Sequence, residues 1–469
     1  MGSQNVHTEP KAGIEVGSCT LHDLFTGNLN REEGLQLHIP EYQRAYRWGP
    51  KQLKELADDL VSYFRESSQS DIPSYYLGSI ILQREGQYLN IIDGQQRLIS
   101  TLLINYYFRQ TWVFDLPIGA PRSQVQIRSN YSWLKDNLPS KENFSFDLEK
   151  INVTFVITRS IDEAYTFFET QNTGGVRLSG ADIIKAFHLR EIDEKEQKNR
   201  IKYAKKWESF DDAHIEFVST LLGKGRYWNT LSWRPFPLRR HKNREKEAKV
   251  DEFARQTRSD FSEAPSFVPA AYMETDGAFL IRSFSWLKAL RQPLYKGKHT
   301  LDYTLDYTQV YVRLFKKEQD DEVDTRFYTF RNKVLNGAHG THYLLELFKL
   351  FALVYVSKFG VSRFYEFSLW AFRFCYSKRV ENRRFVREAT VVKHVGDSKM
   401  LDKILQAFIH EEAIALLKEY GYTVNTDLFD AKKVKGRYLH MLNGYFEGIT
   451  KDQFDQDLIK AIELKTKSL

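Results

Sequence analysis

The chain has 469 residues, of which 42% are hydrophobic and 28% are charged. This length predicts two or more domains with cores of their own, and the composition excludes a disordered or fibrous chain. The two cysteines, Cys19 and Cys375, lie far apart, which excludes a disulfide framework and a cysteine-rich zinc site and predicts a reducing, cytoplasmic location.

The net charge and the hydropathy of the chain bear on whether it binds an anionic partner or a membrane. The net charge of +7 is mild for this length and suggests an anionic partner without requiring one. The apolar run at residues 350–356 is closed by Lys349 and Lys358 and is shorter than the roughly 20 residues of a membrane span, so we expect no membrane partner. Residues 1–13 are polar and show no secretion signal.

The first part of the chain mixes helical and strand patterns. Residues 50–65 begin with proline and carry apolar side chains at helical spacing, which predicts an amphipathic helix. Residues 76–83 and 87–92 are predicted to form a β-hairpin, and a helix is predicted over 95–108. Residues 151–158 alternate as a half-buried strand does.

The pattern then changes. A helix is predicted over residues 162–171 and a glycine loop over 172–175, and Ser179 with Asp182 forms an acidic variant of a capping box for the next helix. Beyond this point the chain is predicted to be mainly helical, with helices at 343–358, 362–376 and 400–420. We therefore predict an α+β domain over residues 14–195 followed by a mainly α-helical domain over residues 196–469.

The segment at residues 39–48 concentrates cationic and aromatic side chains just before a helix. Arg44 and Arg47 can form bidentate bonds to a phosphate, and Tyr42, Tyr46 or Trp48 can stack on a base. The alternative is an aromatic corner that packs the first helix, with the arginine stems lying on the rings.

A second group, Asp93-Gly94-Gln95-Gln96-Arg97, lies at the predicted strand-to-helix turn. The start of a helix favours an anion, Gly94 permits close backbone approach, and Arg97 can neutralise phosphate charge. Asp93 can hold Mg²⁺ or orient an attacking water. In the alternative, Asp93 is only the residue that caps the helix and Arg97 is an exposed helical residue.

Weaker signals lie elsewhere. Asn172 and the glycines after it can form a second wall of a nucleotide site or an ordinary helix end. The usual phosphate-loop motif is missing from the sequence. His339 and His342 stand three apart, which more often reflects helix packing than a zinc site.

Two basic clusters in the helical half can contact nucleic acid or form a solvated charged face. The first, residues 234–258, has nine Lys or Arg against four acids. The second, residues 373–387, has six against one. The candidate DNA-binding residues of the second cluster are Arg373, Lys378, Arg379, Arg383, Arg384 and Arg387.

Four motifs, in this order along residues 14–195, resemble one family closely. It is the ParB-like "DGQQR" domain found at the N-terminus of GmrSD-type modification-dependent restriction enzymes and of the defence protein SspE. The motifs are Ile39-Pro40-x-Tyr42-Gln43-Arg44-x-Tyr46-x-Trp48, Leu77-Gly78, Asp93-Gly94-Gln95-Gln96-Arg97-Leu98, and Phe168-x-x-x-Asn172-x-x-Gly175 with Leu178, Asp182 and Lys185.

The resemblance implies a ParB/sulfiredoxin-like α+β fold that binds and hydrolyses a nucleoside triphosphate with Mg²⁺. It assigns hydrolysis to Asp93, Gln95, Gln96 and Arg97, with Asp93 as the candidate magnesium ligand. It also implies nucleotide binding by Gln43, Arg44, Gly94, Arg97 and Asn172.

The family serves defence against foreign or phage DNA, sensing modified DNA and coupling nucleotide turnover to a nuclease. Many members continue into an HNH nuclease domain, but His394, His410 and His440 are isolated here. We therefore expect DNA and a separate nuclease subunit, or further copies of this chain, as partners. Two alternatives stay open: a ParB-like domain that itself nicks DNA, and a non-enzymatic reader of modified DNA.

Overall fold

The structure is a computed structural model in which two compact units interleave along the chain. It describes residues 13–29, 34–67, 73–109, 116–138, 146–160, 163–164, 179–193, 196–259, 270–275, 278–283, 287–337, 342–382, 385–430 and 433–467. The first unit comprises Met1–Leu178 and Asp193–Ser209, and the second comprises Ser179–Ile192 and Phe210–Leu469. The domain ranges predicted from the sequence have one boundary near residue 195. In the structure, Ser179–Ile192 belongs to the second unit and Asp193–Ser209 to the first.

The first unit contains a mixed sheet and its helices. In chain order its described elements are β1 (Glu15–Thr20), α1 (Leu21–Thr26), β2 (Gln36–His38), α2 (Pro50–Ser67), β3 (Tyr75–Glu85), β4 (Tyr88–Asp93), α3 (Gln95–Arg109), α4 (Pro121–Asn137) and β5 (Ile151–Thr158). After α5 (Gly180–Arg190), which belongs to the second unit, α6 (Gln197–Glu208) returns to the first.

The sheet has the strand order β1-β5-β3-β4-β2. Strand β3 runs antiparallel to β4 and parallel to β5, β1 is antiparallel to β5, and β2 is parallel to β4. The apolar face of α2 and nearly all of α3 are buried against this sheet, which explains their sequence periodicity. The predicted α2, hairpin, α3 and β5 are confirmed to within three residues at each end.

The second unit is mainly helical, as predicted. Its further described helices are α7 (Asp212–Tyr227), α8 (Lys242–Val250), α9 (Lys298–Phe315), α10 (Thr325–Phe330), α11 (His342–Phe359), α12 (Phe364–Glu381), α13 (Glu388–Ser398), α14 (Met400–Gln406), α15 (His410–Lys418), α16 (Val434–Asn443) and α17 (Phe454–Lys467). A hairpin of β6 (Ala270–Thr275) and β7 (Ala278–Ser283) interrupts them. Helix α11 is buried along most of its length and packs on α9 and α12.

Two local expectations have different outcomes. The capping box of Ser179 and Asp182 is confirmed, because each side chain accepts a hydrogen bond from the backbone N–H of the other. The prediction of a single helix at 400–420 is wrong, because α14 ends at Gln406 and the backbone leaves the helical conformation at Ala407. The N–H of Phe408 then donates a hydrogen bond of 2.7 Å to the Glu412 carboxylate, just before α15 begins.

Two further expectations concern the segment at 162–175 and a membrane-spanning helix. The helix predicted at 162–171 lies almost entirely outside the described residues, and the loop at 172–175 lies wholly outside them. No helix in the described part of the chain has the length and apolar character that a membrane crossing requires.

Candidate functional site

The turn between β4 and α3 is confirmed, and it requires glycine. Gly94 has a φ of 95°, and a Cβ atom there would lie 2.4 Å from Cγ2 of Ile80. The glycine therefore admits the side chain of a neighbouring strand. The sequence led us to expect that this close approach would serve a ligand.

The side chain of Gln96 fixes the segment at residues 39–48. Its Oε1 accepts hydrogen bonds from the N–H groups of Arg47 at 2.8 Å and Trp48 at 3.2 Å, and its Nε2 donates to the Ala45 carbonyl at 3.4 Å. Gln96 is buried. Because its amide group binds three backbone groups of the segment, Gln96 is a positioning residue.

Gln95 binds the same segment at Arg44, one residue before the carbonyl that Gln96 binds. Its Nε2 donates to the carbonyl oxygen of Arg44 at 3.1 Å, and Gln43 donates to the carbonyl of Ile92 at 3.2 Å. Gln95 is 5% exposed, and its Oε1 has no hydrogen-bond partner among the residues that the structure describes. A buried acceptor in this state is costly to the fold.

The aromatic side chains of the segment face inward. The Tyr46 hydroxyl lies 2.7 Å from Oγ of Ser100 and accepts a hydrogen bond of 3.0 Å from Asn130, and its N–H donates to Ser123. Both Tyr46 and Tyr42 are buried. Base stacking by these two tyrosines is therefore not supported, and the packing alternative fits the structure.

Arg97 is bound to the protein through both terminal nitrogens of its guanidinium group. It donates to the carbonyls of Leu77 at 3.3 Å and Ser79 at 2.6 Å, and to Oδ2 of Asp93 at 3.2 Å. These carbonyls flank Gly78, where the register of β3 shifts and φ is 120°. Arg97 thus fastens an irregular strand to the start of α3, while about a quarter of its side chain stays exposed.

The fit of Mg²⁺ to Asp93 is poor in the described residues. The carboxylate is already paired with Arg97, and no group of three or more His, Cys, Asp or Glu in the described residues is arranged to hold a metal ion. Mg²⁺ commonly binds through one or two carboxylates together with substrate phosphates. One carboxylate can suffice where phosphates complete the coordination, so magnesium binding by Asp93 stays a prediction.

A pocket of about 340 Å³ lies between the segment at 39–48, the start of α4 and helix α6, all within the first unit. This volume is within the range of small-molecule sites. Its charged lining groups are Arg44 and Lys205 together with Glu41 and Glu208, and Gln95 reaches it from α3. The remaining lining residues are His38, Ile39, Pro40, Gln43, Pro117, Ile118, Gly119, Ala120, Ser123, Ile201 and Ala204.

The structure thus brings together only some of the predicted site residues. Gln43, Arg44 and Gln95 line the pocket, whereas Gln96 and Arg97 bind backbone groups beside it and Asp93 pairs with Arg97. Asn172 lies outside the described residues. Sequence reasoning missed the lining residues of α6, although their spacing of three, one and three residues from Ile201 to Glu208 marks one helical face.

Two arginines of the predicted DNA-binding cluster lie inside the second unit, on α12. Arg373 is 2% exposed and binds both carboxylate oxygens of Asp455 at 2.7 Å, and it also donates to the carbonyl of Tyr420. Arg379 is buried as well. For these two arginines the expected surface contact with DNA was wrong, because α12 is buried on nearly every side.

The other members of that cluster differ. Lys378 is ion-paired with Glu381, Arg387 is exposed just before α13, and Arg383 and Arg384 lie outside the described residues. The cluster at 234–258 is also partly internal, since Lys249 is buried against Glu216.

The structure describes one histidine of the predicted pair. His342 opens α11, and its predicted companion His339 lies outside the described residues.

Two family models match the chain. The model described as "GmrSD restriction endonuclease, N-terminal domain" matches residues 21–189, which include the segment at 39–48 and the motif at 93–97. The model described as "Family of unknown function (DUF7834)" matches residues 199–433, which is half of the chain. A search of the curated proteins found no match. The chain therefore belongs to the DUF7834 family of unknown function, and its N-terminal region is a GmrSD-type restriction endonuclease N-terminal domain.

Proposed function

We propose that this chain is a restriction-type defence protein whose N-terminal domain binds and hydrolyses a nucleoside triphosphate. The family match supports the restriction role. The nucleotide role is supported above all by the pocket in which Gln43, Arg44 and Gln95 meet. The proposal includes a ParB/sulfiredoxin-like fold for this domain, as the motif order implies.

In this proposal the phosphates lie at the Arg44 end of the pocket. The guanidinium group suits bidentate phosphate binding, and the nearby start of α3 adds a field that favours an anion. Gln95 holds the Arg44 backbone through Nε2. Gln43 lines the same wall.

The remaining motif residues act on the geometry of the site. Gln96 holds the segment that carries Arg44, and Arg97 holds Asp93 and the strand next to α3. A triphosphate that carries its own Mg²⁺ would supply charge neutralisation at the phosphates. We expect hydrolysis to depend on these residues through the position of the segment at 39–48.

Nucleotide turnover then serves the sensing of foreign or modified DNA, and the cut is made with a separate nuclease subunit or a further copy of this chain. The restriction family supports DNA as the target. Exposed Arg387 is the described member of the basic cluster that is best placed to contact a DNA backbone.

The test is phosphate release by the full chain from each of the four ribonucleoside triphosphates with Mg²⁺, without DNA and with unmodified or modified phage DNA. We expect turnover that DNA stimulates, and a loss of at least tenfold in nucleotide affinity on Arg44→Ala. Lys54→Ala, which removes an exposed cation on α2, is the matched control. Absence of both nucleotide binding and turnover, or unchanged affinity in Arg44→Ala, would overturn the proposal.

A further inference from the structure

We propose that helix α6 reads the nucleoside end of the bound nucleotide, with Glu208 accepting hydrogen bonds from it and Lys205 binding its phosphates. This inference rests on the proposed function of the same pocket. It assigns ligand contacts to residues that lie beyond the GmrSD-type match, at the start of the segment that matches the family of unknown function.

The placement of α6 carries the first step. Ile201, Ala204, Lys205 and Glu208 all line the pocket, and α6 contacts α4, whose first turn forms the neighbouring wall. The spacing of these residues puts them on one face of the helix. Helix α6 therefore presents two apolar and two charged side chains to the same space.

The distribution of charge carries the second step. Arg44 and Lys205 bring positive charge to the pocket, whereas Glu41 and Glu208 bring negative charge. A ligand made only of phosphate would meet two carboxylates that repel it. A ligand with an anionic end and an end rich in N–H or O–H groups satisfies both kinds of side chain.

A nucleoside triphosphate has these two ends. Its phosphates suit the cations, and its ribose hydroxyls or the N–H groups of its base are donors that a carboxylate accepts strongly. Glu208 is 8% exposed, so its carboxylate is largely removed from water, and a donor pair on the ligand is worth more there than at the surface. The apolar side chains of Ile201 and Ala204 lie beside it on the same helical face, where a sugar or base can pack.

The experiment compares the binding of nucleotides with the binding of inorganic triphosphate, which lacks the nucleoside end. Calorimetry on the full chain would measure affinity for ATP, GTP, their 2′-deoxy forms and inorganic triphosphate. Glu208→Gln should weaken the preferred ribonucleotide at least tenfold and leave inorganic triphosphate unchanged or bound more tightly. Lys205→Glu should weaken both kinds of ligand.

The controls are matched to each change. Lys202→Glu reverses another exposed cation of α6, and Asp58→Asn removes an exposed carboxylate of α2. If the Gln variant loses only the preference for ribose over deoxyribose, Glu208 binds the sugar. If it loses the preference between ATP and GTP, Glu208 binds the base. Either result supports the inference.

Other outcomes would overturn it. Equal weakening of nucleotide and inorganic triphosphate in Glu208→Gln would show that the change acts on the pocket as a whole. Unchanged nucleotide binding in both Glu208→Gln and Lys205→Glu would overturn this inference alone. No binding of any nucleotide to the unaltered chain would overturn the proposed function together with it. Should Glu208→Gln fail to fold, the exposed Lys205 variant still decides whether α6 contacts the ligand.

Discussion

The guanidinium group of Arg97 lies against the backbone of Gly78, so closely that a Cβ atom there would stand 2.1 Å from Nη1. Arg97 donates to the carbonyls on either side of that glycine. Two motifs separated by 14 residues thus form one structural unit, because the arginine needs the space that a missing side chain leaves. The glycine and the arginine should tolerate change only together.

Gly78→Ala should destabilise the first unit and lower nucleotide turnover. The new methyl group would displace Arg97, and φ of 120° is unfavourable for any residue with a Cβ, so we expect a loss of about 1–3 kcal/mol in the free energy of unfolding. Urea denaturation and phosphate release would measure the two effects.

Gly86→Ala provides the control for Gly78→Ala. Gly86 also has a positive φ, of 61°, but a Cβ atom there would meet nothing within 4 Å. It should therefore show the backbone cost alone. Equal losses in the two variants would contradict the role given to the contact with Arg97.

Gln96→Ala should loosen the segment at 39–48 and weaken nucleotide binding. The substitution leaves the N–H groups of Arg47 and Trp48 without the acceptor that Gln96 provides, at a cost of about 1–3 kcal/mol in stability. Because Arg44 lies on the same segment, nucleotide affinity measured by calorimetry should fall as well.

Gln96→Glu separates the two halves of that amide. It keeps an acceptor for both N–H groups, but it buries a negative charge and sets an oxygen against the Ala45 carbonyl, so its loss of stability should be the larger. A smaller loss for Gln96→Glu than for Gln96→Ala would contradict the contribution of Nε2 and its contact with the Ala45 carbonyl. Gln52→Ala, which removes a single acceptor for Gly49, is a further comparison.

The sequence predicts the secondary structure around the motif well because local rules apply there. The helix after Gly94, the hairpin before it and the strand at 151–158 each carry a clear period. The direction in which each motif side chain points is decided by tertiary contacts: Gln96 and Arg97 are adjacent, yet one binds the loop and the other binds β3. Adjacent positions on a helix differ by about 100° in direction, and a single sequence does not show what each direction meets.

The basic cluster at 373–387 also shows that a single sequence does not reveal tertiary contacts. Six cations against one acid suggest a solvated or DNA-binding face, but Asp455 lies 82 residues beyond Arg373 and neutralises it in the interior. A partner so distant leaves no local signal in the sequence. The lining residues of α6 were missed for a related reason, since they follow a segment that belongs to the second unit.

Arg373→Leu should destabilise the second unit strongly and act on DNA binding only through folding. Removing one partner of a buried ion pair leaves the other carboxylate uncompensated, which costs about 3–5 kcal/mol. Thermal unfolding would measure this loss. Arg387→Ala, at an exposed position, should leave the unfolding temperature unchanged and lower the salt dependence of DNA binding by about one counterion. A folded Arg373→Leu chain with normal stability would contradict the internal role.

Stability of the second unit should fall as the pH drops below 6.5, because His188 is buried in its neutral form. Burial is the main cause that lowers its pKa from 6.5 to about 4, and neighbouring His299 and Lys296 lower it further, against the opposing effect of the Phe253 carbonyl. The Nε2 of His188 lies 2.5 Å from the Phe253 carbonyl oxygen, and Nδ1 accepts a hydrogen bond of 3.1 Å from the N–H of Gly297. Protonation of Nδ1 would break the second bond.

Because the pKa of His188 is lower in the folded than in the unfolded chain, the unfolded state binds more protons between pH 6.5 and 4. The contribution of His188 is therefore complete above pH 6.5 and is lost as the pH falls towards 4, by about 3 kcal/mol in total. In urea denaturation at a series of pH values, His188→Gln should be less stable than the unaltered chain at pH 7, and the difference should shrink on acidification. The exposed His440→Gln variant is the control for replacing a histidine at the surface. A difference between the His188 variant and the unaltered chain that stays constant from pH 7 to 5 would show that His188 is not held neutral by its burial.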